Sequence, residues 1–178
     1  TEPVKLISFL ISPEVDNVKR HQKPCKLLGK PRATPAPDGT MVYELSVGER
    51  GDLAIFKQTR DHISCAIKHH VVEEIWHVLS GNGLMWRQSD LNEEVTEMKP
   101  GINIQIPAGT SFQFRNEGQK PLRMLAVTTP RWFDEKNRTC EVVDGPWKPQ
   151  KRKMNHSNTF YSLRSKTKNS DSFKKLKY

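Results

Sequence analysis

Gly101-Ile102-Asn103-Ile104-Gln105-Ile106-Pro107-Ala108-Gly109-Thr110-Ser111-Phe112-Gln113-Phe114-Arg115-Asn116 is the stretch whose reading sets the fold. Two short β-rich runs, 102–106 and 111–115, flank a corner built on Pro107 and Gly109. Such residues mark a sharp change of direction, and Gly109 is expected in a backbone conformation closed to other residues. Asn116, two positions before Gly118, fits a turn in which its short amide bonds the local backbone.

The same texture extends outward. Candidate strands at 41–47, 53–58, 63–67, 74–79, 84–88, 94–98, 102–106, 111–115 and 122–128 follow one another without a convincing helix. About nine short strands at close spacing predict an all-β sandwich or barrel. Gly81-Asn82-Gly83 reads as a hairpin turn, because Gly and Asn tolerate positive φ. Residues 1–40 form an arm rich in Pro, Lys and Gly, ending in the turn Pro35-Ala36-Pro37-Asp38-Gly39. After Pro130, Trp132, Phe133 and Trp147 stand among charges and suggest a segment packing over the barrel. The predicted divisions are an arm at 1–40, a barrel at 41–129, a covering segment at 130–148 and a tail at 149–178.

Two motifs carry a family resemblance. Residues 101–116 match the pattern G-x5-P-x-G-x2-H-x3-N except that Phe112 stands at the histidine. Glu74-Ile75-Trp76-His77-Val78-Leu79-Ser80-Gly81 reproduces the second half of G-x5-H-x-H-x3,4-E-x6-G. In this order the two motifs resemble the cupin superfamily, over about residues 50–129. The resemblance implies a single-domain jelly-roll barrel whose motif histidines and glutamate point inward and usually hold a divalent metal such as Zn, Fe, Mn or Ni.

This chain departs from that ligand set. Counting back from Glu74 gives either His70 with Lys68, or His69 with Ile67, as the inward pair. Adjacent strand residues face opposite sides, so only one of His69 and His70 is expected to face the barrel. The metal candidates are therefore His69 or His70 with Glu74, two protein ligands where a catalytic zinc site normally has three. Trp76 and Val78 share the parity of Glu74, and Phe112 and Phe114 are expected to join them inside. Glu74, Trp76, Phe112, Phe114, His70 and Lys68 are thus the candidate ligand-binding residues of a degenerate metal site, with Arg87 or Gln105 as possible additions. Glu74 beside a histidine is also the one candidate catalytic pair, for proton transfer. His77 has the opposite parity and is expected outside, while His62 lies in the loop before the first motif.

Composition bounds the rest. The chain has 178 residues, 35% hydrophobic and 28% charged, enough for one domain with an appendage. Its net charge of +9 is local: residues 148–178 hold ten Lys or Arg and one acid, Asp171. Residues 1–147 are neutral, so contacts with polyanions are an expectation for the tail alone, through clusters such as Lys151-Arg152-Lys153 and Lys174-Lys175. Poor in apolar residues, that tail is expected to be flexible. Three separated cysteines without C-x-x-C suit a reducing, cytoplasmic setting. No stretch has the length and apolarity of a membrane-spanning helix. The apolar residues 4–11, broken by Lys5 and Ser8, lack a small-residue cleavage site behind them and are not expected to be a secretory signal. Cupins commonly pair through sheet edges and N-terminal segments, so the resemblance implies a homodimer with residues 4–11 packed across it. The functional expectation is binding of a small organic ligand in the barrel without redox chemistry. The alternatives are a metal-dependent dioxygenase, isomerase or decarboxylase, and an interaction protein acting through its tail.

Overall fold

A computed structural model describes Ser8 and residues 33–36, 38–132 and 140–150. The expectations for the apolar arm at 4–11 apart from Ser8, for Phe133 and for the tail beyond residue 150 lie outside these residues.

The described residues form eleven strands and no helix, so no helix long and apolar enough to cross a membrane is among them. In chain order they are β1 (Ala33–Pro35), β2 (Met41–Val47), β3 (Asp52–Gln58), β4 (Ile67–His69), β5 (Glu73–Ser80) and β6 (Gly83–Gln88). They continue with β7 (Glu93–Met98), β8 (Asn103–Ile106), β9 (Ser111–Asn116), β10 (Leu122–Thr129) and β11 (Cys140–Val142). Nine of them fall within 41–129, and β1 and β11 extend the sheets at either end. All pairings are antiparallel, giving one sheet in the order β1-β2-β3-β10-β5-β8 and another in the order β11-β4-β9-β6-β7. Packed face to face, the two sheets make a jelly roll.

Period-two alternation fills the space between the sheets. On β5, Glu74, Trp76 and Val78 are buried, while Glu73, Ile75 and Leu79 face out. Met124 and Ala126 continue the layer from β10, and Phe112 and Phe114 close it from β9. Trp76 stands at its centre, edge-on to Phe56 at 5.1 Å, Phe114 at 5.0 Å and Phe112 at 5.8 Å between ring centroids. Edge-to-face pairs of this kind add about 0.5–1.5 kcal/mol each beyond the area they bury.

Two local expectations are corrected. The strand placed at 63–67 lies instead at Ile67–His69. Before it, Ile63, Ser64, Cys65 and Ala66 bond to Arg115, Phe114, Asp38 and Val143 in turn, and this spread of partners prevents a regular ladder. The Gly81-Asn82-Gly83 turn closes no hairpin, because β5 and β6 belong to different sheets. It is a corner between layers, and its glycines are fixed by crowding. A Cβ on Gly81 would lie 2.7 Å from the Leu122 Cα, and one on Gly83 would lie 2.3 Å from the Arg115 carbonyl oxygen. Gly81 also adopts φ 87°, which favours glycine.

The second motif behaves mechanically as read. Gly109 has φ 82°, and its N–H donates to the His69 carbonyl at 2.7 Å, tying the corner to β4. The Asn116 side chain accepts from the Gly118 N–H and donates to the Thr59 and Lys120 carbonyls. On the outer face of the five-stranded sheet, Gln113 is buried because residues 140–150 cross it. Its amide donates to the Ser64 and Trp147 carbonyls and accepts from the Trp147 N–H. The Arg115 guanidinium lies 4.6 Å over the Trp147 ring, a cation–π contact that holds the same crossing.

Candidate functional site

The parity of β4 decides which histidine enters the barrel. Ile67 pairs with Phe112 across the β4–β9 ladder, so the inward side of β4 carries Ile67 and His69. His69 is 5% exposed. His70 has the opposite parity, half its side chain is exposed, and its Nε2 lies 3.4 Å from Glu141 on the neighbouring β11. Lys68 shares its outward side. The candidates His70 and Lys68 are therefore corrected to the outside of the barrel, by the pairing of β4 with β9. Arg87 also points away, to Glu94 and the Gln105 carbonyl, and Gln105 is exposed. His77 faces outward as its parity requires, its Nδ1 2.8 Å from Asn103 Oδ1.

Inside the barrel, two residues of one strand and one from the opposite sheet converge. Glu74 and Trp76 lie two apart on β5 and so share a face. The Trp76 Nε1–H donates to Glu74 Oε2 at 2.6 Å, and His69 Nε2 lies 3.1 Å from Glu74 Oε1. A carboxylate oxygen accepts, so His69 Nε2 is the donor of this pair and Nδ1 is its other ring nitrogen. That Nδ1 is buried and has no hydrogen-bond partner among the described residues.

Asp38 completes the cluster and was missed in the sequence. It sits in the turn before β2, where acids are usually solvated turn formers. Here it is buried, its Oδ1 accepting from the Thr40 N–H and its Oδ2 from the Thr40 hydroxyl, both at 2.9 Å. Burial pushes its pKa up to about 6, and the nearby Glu74 adds to the rise. The Thr40 hydrogen bonds and His69 act in the opposite direction. Trp132 was read as part of a covering segment, and it is buried beside this cluster. Neither residue belongs to a motif, so only the fold could bring them to Glu74.

Asp38, Thr40, His69 and Glu74, with the rings of Trp76 and Phe112, line a cavity of about 20 Å³. That is room for one water-sized group. Phe114 packs on Trp76 but does not reach the cavity. Among the lining residues Ala36, Phe56, Asp38 and Trp132 keep 9%, 8%, 7% and 6% exposure, against 1–2% for Trp76, Glu74 and Phe112. These four are the least covered residues of the lining.

The donor set does not fit a divalent metal. His69 Nε2 and Glu74 Oε1 are spent on each other, and Phe112, 5.9 Å from the His69 ring, fills the place of a third imidazole. Among the described residues no three His, Cys, Asp or Glu are grouped so as to hold a metal ion. The free thiols Cys65 and Cys140 are partly buried, and burial raises the pKa of each. They are thus poor thiolates at neutral pH.

Comparisons with known proteins agree with this geometry at the level of the fold. A family model described as "Cupin domain" matches residues 62–128. An uncharacterised protein of Methanocaldococcus jannaschii is 36% identical over 74 residues, which make up 42% of this chain and 56% of that protein. The chain thus spans little more than half the length of that curated relative. Among solved structures, a conserved double-stranded β-helix protein from Klebsiella pneumoniae is similar with a TM-score of 0.51 and 15% identity. That likeness covers 63% of this chain and 90% of the other. The capsular polysaccharide assembling protein CapF from Staphylococcus aureus is similar with a TM-score of 0.55 and 15% identity, over 66% of this chain and 33% of CapF. At these identities the structural likenesses show the fold alone.

Proposed function

With residues 62–128 a cupin domain, we propose that the barrel binds a small organic ligand by a hydrogen-bond-donating head group, an ammonium or a hydroxyl, without redox chemistry. The observation that carries this reading is His69 Nδ1, buried and without a hydrogen-bond partner among the described residues, beside the carboxylates of Glu74 and Asp38. Every side chain of that trio offers an acceptor, so the complementary group is a donor. Two carboxylates in one small cavity favour a cation, and the surrounding rings of Trp76, Phe112, Phe56 and Trp132 favour it further.

Size sets the second condition. A cavity of about 20 Å³ takes a head group and nothing more, so the body of the ligand lies toward Ala36, Asp38 and Trp132, where the lining is least covered. A buried acceptor left without a donor costs about 1–3 kcal/mol, and a ligand that supplies the donor recovers that cost.

The test is thermal unfolding of the full chain against a series of small primary ammonium compounds and alcohols. A ligand that binds only the folded form raises the melting temperature by mass action. The expected result is a saturable rise with ammonium compounds that is lost in His69→Leu. A rise that survives His69→Leu, or none with any donor compound, overturns the reading.

A further inference from the structure

On its outer face the six-stranded sheet carries a cleft of about 500 Å³, wholly separate from the barrel interior. Tyr43 and Ile55, cross-strand partners on β2 and β3, form its apolar floor. Lys57, Arg123 and Lys120 line it with positive charge, and Ser80 adds a hydroxyl.

Lys57 and Arg123 stand directly opposite each other in the β3–β10 ladder. Like charges in that position repel and destabilise the pairing. Several cations elsewhere among the described residues are paired. Arg60, Arg87, Lys99, Arg115 and Arg131 each have a carboxylate within 4 Å. None of those ion pairs includes Lys57, Lys120 or Arg123. The repulsion is thus left standing where the surface is concave.

The backbone adds an independent feature. In the β5–β10 ladder Met124 pairs with Val78 but Arg123 pairs with Ser80, so Leu79 is an extra residue at a bulge. Without the bulge Ser80 would share the inward parity of Glu74, Trp76 and Val78. With it, Ser80 faces Arg123 and lines the cleft. Lys57, Arg123 and Ser80 then form one row across three strands, all three donors lining the cleft.

We propose that this cleft binds an organic anion, a phosphate-type dianion joined to a flat apolar body. The dianion sits among Lys57, Arg123, Lys120 and the Ser80 hydroxyl, where it converts the cross-strand repulsion into charge-assisted hydrogen bonds. The apolar body lies on Tyr43 and Ile55. The site uses no residue of the barrel cluster and stands independently of what that cluster binds.

Phenyl phosphate, inorganic phosphate and benzyl alcohol are the probes, titrated into the full chain at low salt. At about ten times its Kd, phenyl phosphate is expected to raise the melting temperature by about 3–6 °C. Inorganic phosphate is expected to bind more weakly and benzyl alcohol not to bind. The basic residues 148–178 also attract anions, so substitutions in the cleft make the assignment. The double variant Lys57→Gln with Arg123→Gln should melt no lower than the natural chain and bind phenyl phosphate about tenfold more weakly, or worse. Lys120→Gln, in the loop before β10, weakens the same binding without touching a strand. Tyr43→Ala weakens phenyl phosphate and leaves inorganic phosphate unchanged. Equal affinities in the natural chain and the double variant, or no response to phenyl phosphate at about 10 mM, overturn the proposal.

Discussion

Trp76 and Glu74, two positions apart on one strand, are joined inside the barrel by a 2.6 Å hydrogen bond from the indole N–H to the carboxylate. The bond satisfies an oxygen that would otherwise be buried without a donor, and it leaves His69 to hold the other. The pair fixes the carboxylate between two sheets, with the His69 imidazole across from it.

Replacing Trp76 by Phe keeps a ring against Phe56 and Phe114 but removes that donor. Losing a hydrogen bond to a buried charged group, with a small void, should cost about 3 kcal/mol. Equilibrium denaturation in urea measures it. A cost within error of zero would mean that the bond does not hold Glu74 in solution.

Asp38 gives a pH signature. Its folded pKa of about 6 lies above the ordinary 3.8, so the native state holds this proton more tightly than the unfolded chain does. The stability that the protonated group contributes is present below about pH 4 and is lost as pH rises through about 6. Asp38→Asn removes this titration while leaving an amide to bond Thr40. Between about pH 4 and pH 7 the natural chain should lose up to about 3 kcal/mol relative to the variant. Parallel stability curves for the two proteins would refute the assignment.

Phe112 stands where the family pattern has a histidine, and Phe112→His adds a second imidazole, and so a third ligand, beside His69 and Glu74. Three protein ligands suffice for zinc, so the variant should carry about one zinc per chain after zinc loading and dialysis, read by elemental analysis. Without metal it should be about 2 kcal/mol less stable, through lost packing on Trp76. The natural chain should retain far less zinc. One metal per chain in the natural protein, removable by chelator, would contradict the donor count.

Most of the fold was legible because its devices are local. Alternation along 74–79 and 111–115, and the Pro107–Gly109 corner, each follow from rules that act over a few residues. The choice between His69 and His70 was not legible, because adjacent positions differ only in register and β4 is three residues long. The pairing of Ile67 with Phe112 supplies that register. Gly81-Asn82-Gly83 looked like a hairpin because its composition suits one, yet the same glycines serve a corner where backbones nearly touch. Asp38 was hidden for the opposite reason, since a turn sequence says nothing of whether a later segment will cover it. The cleft on the outer sheet was equally silent. Lys57 and Arg123 are 66 positions apart in the chain, and only the β3–β10 pairing sets them face to face.

The most direct test of the barrel site is the nitrogen resonance of His69 Nδ1 in labelled full-length protein, followed as a small ammonium ligand is added. The account predicts a saturable shift of Nδ1 as it begins to accept a hydrogen bond, with the Nε2–H to Glu74 retained. An Nδ1 resonance that stays fixed through saturation of the thermal response would contradict it.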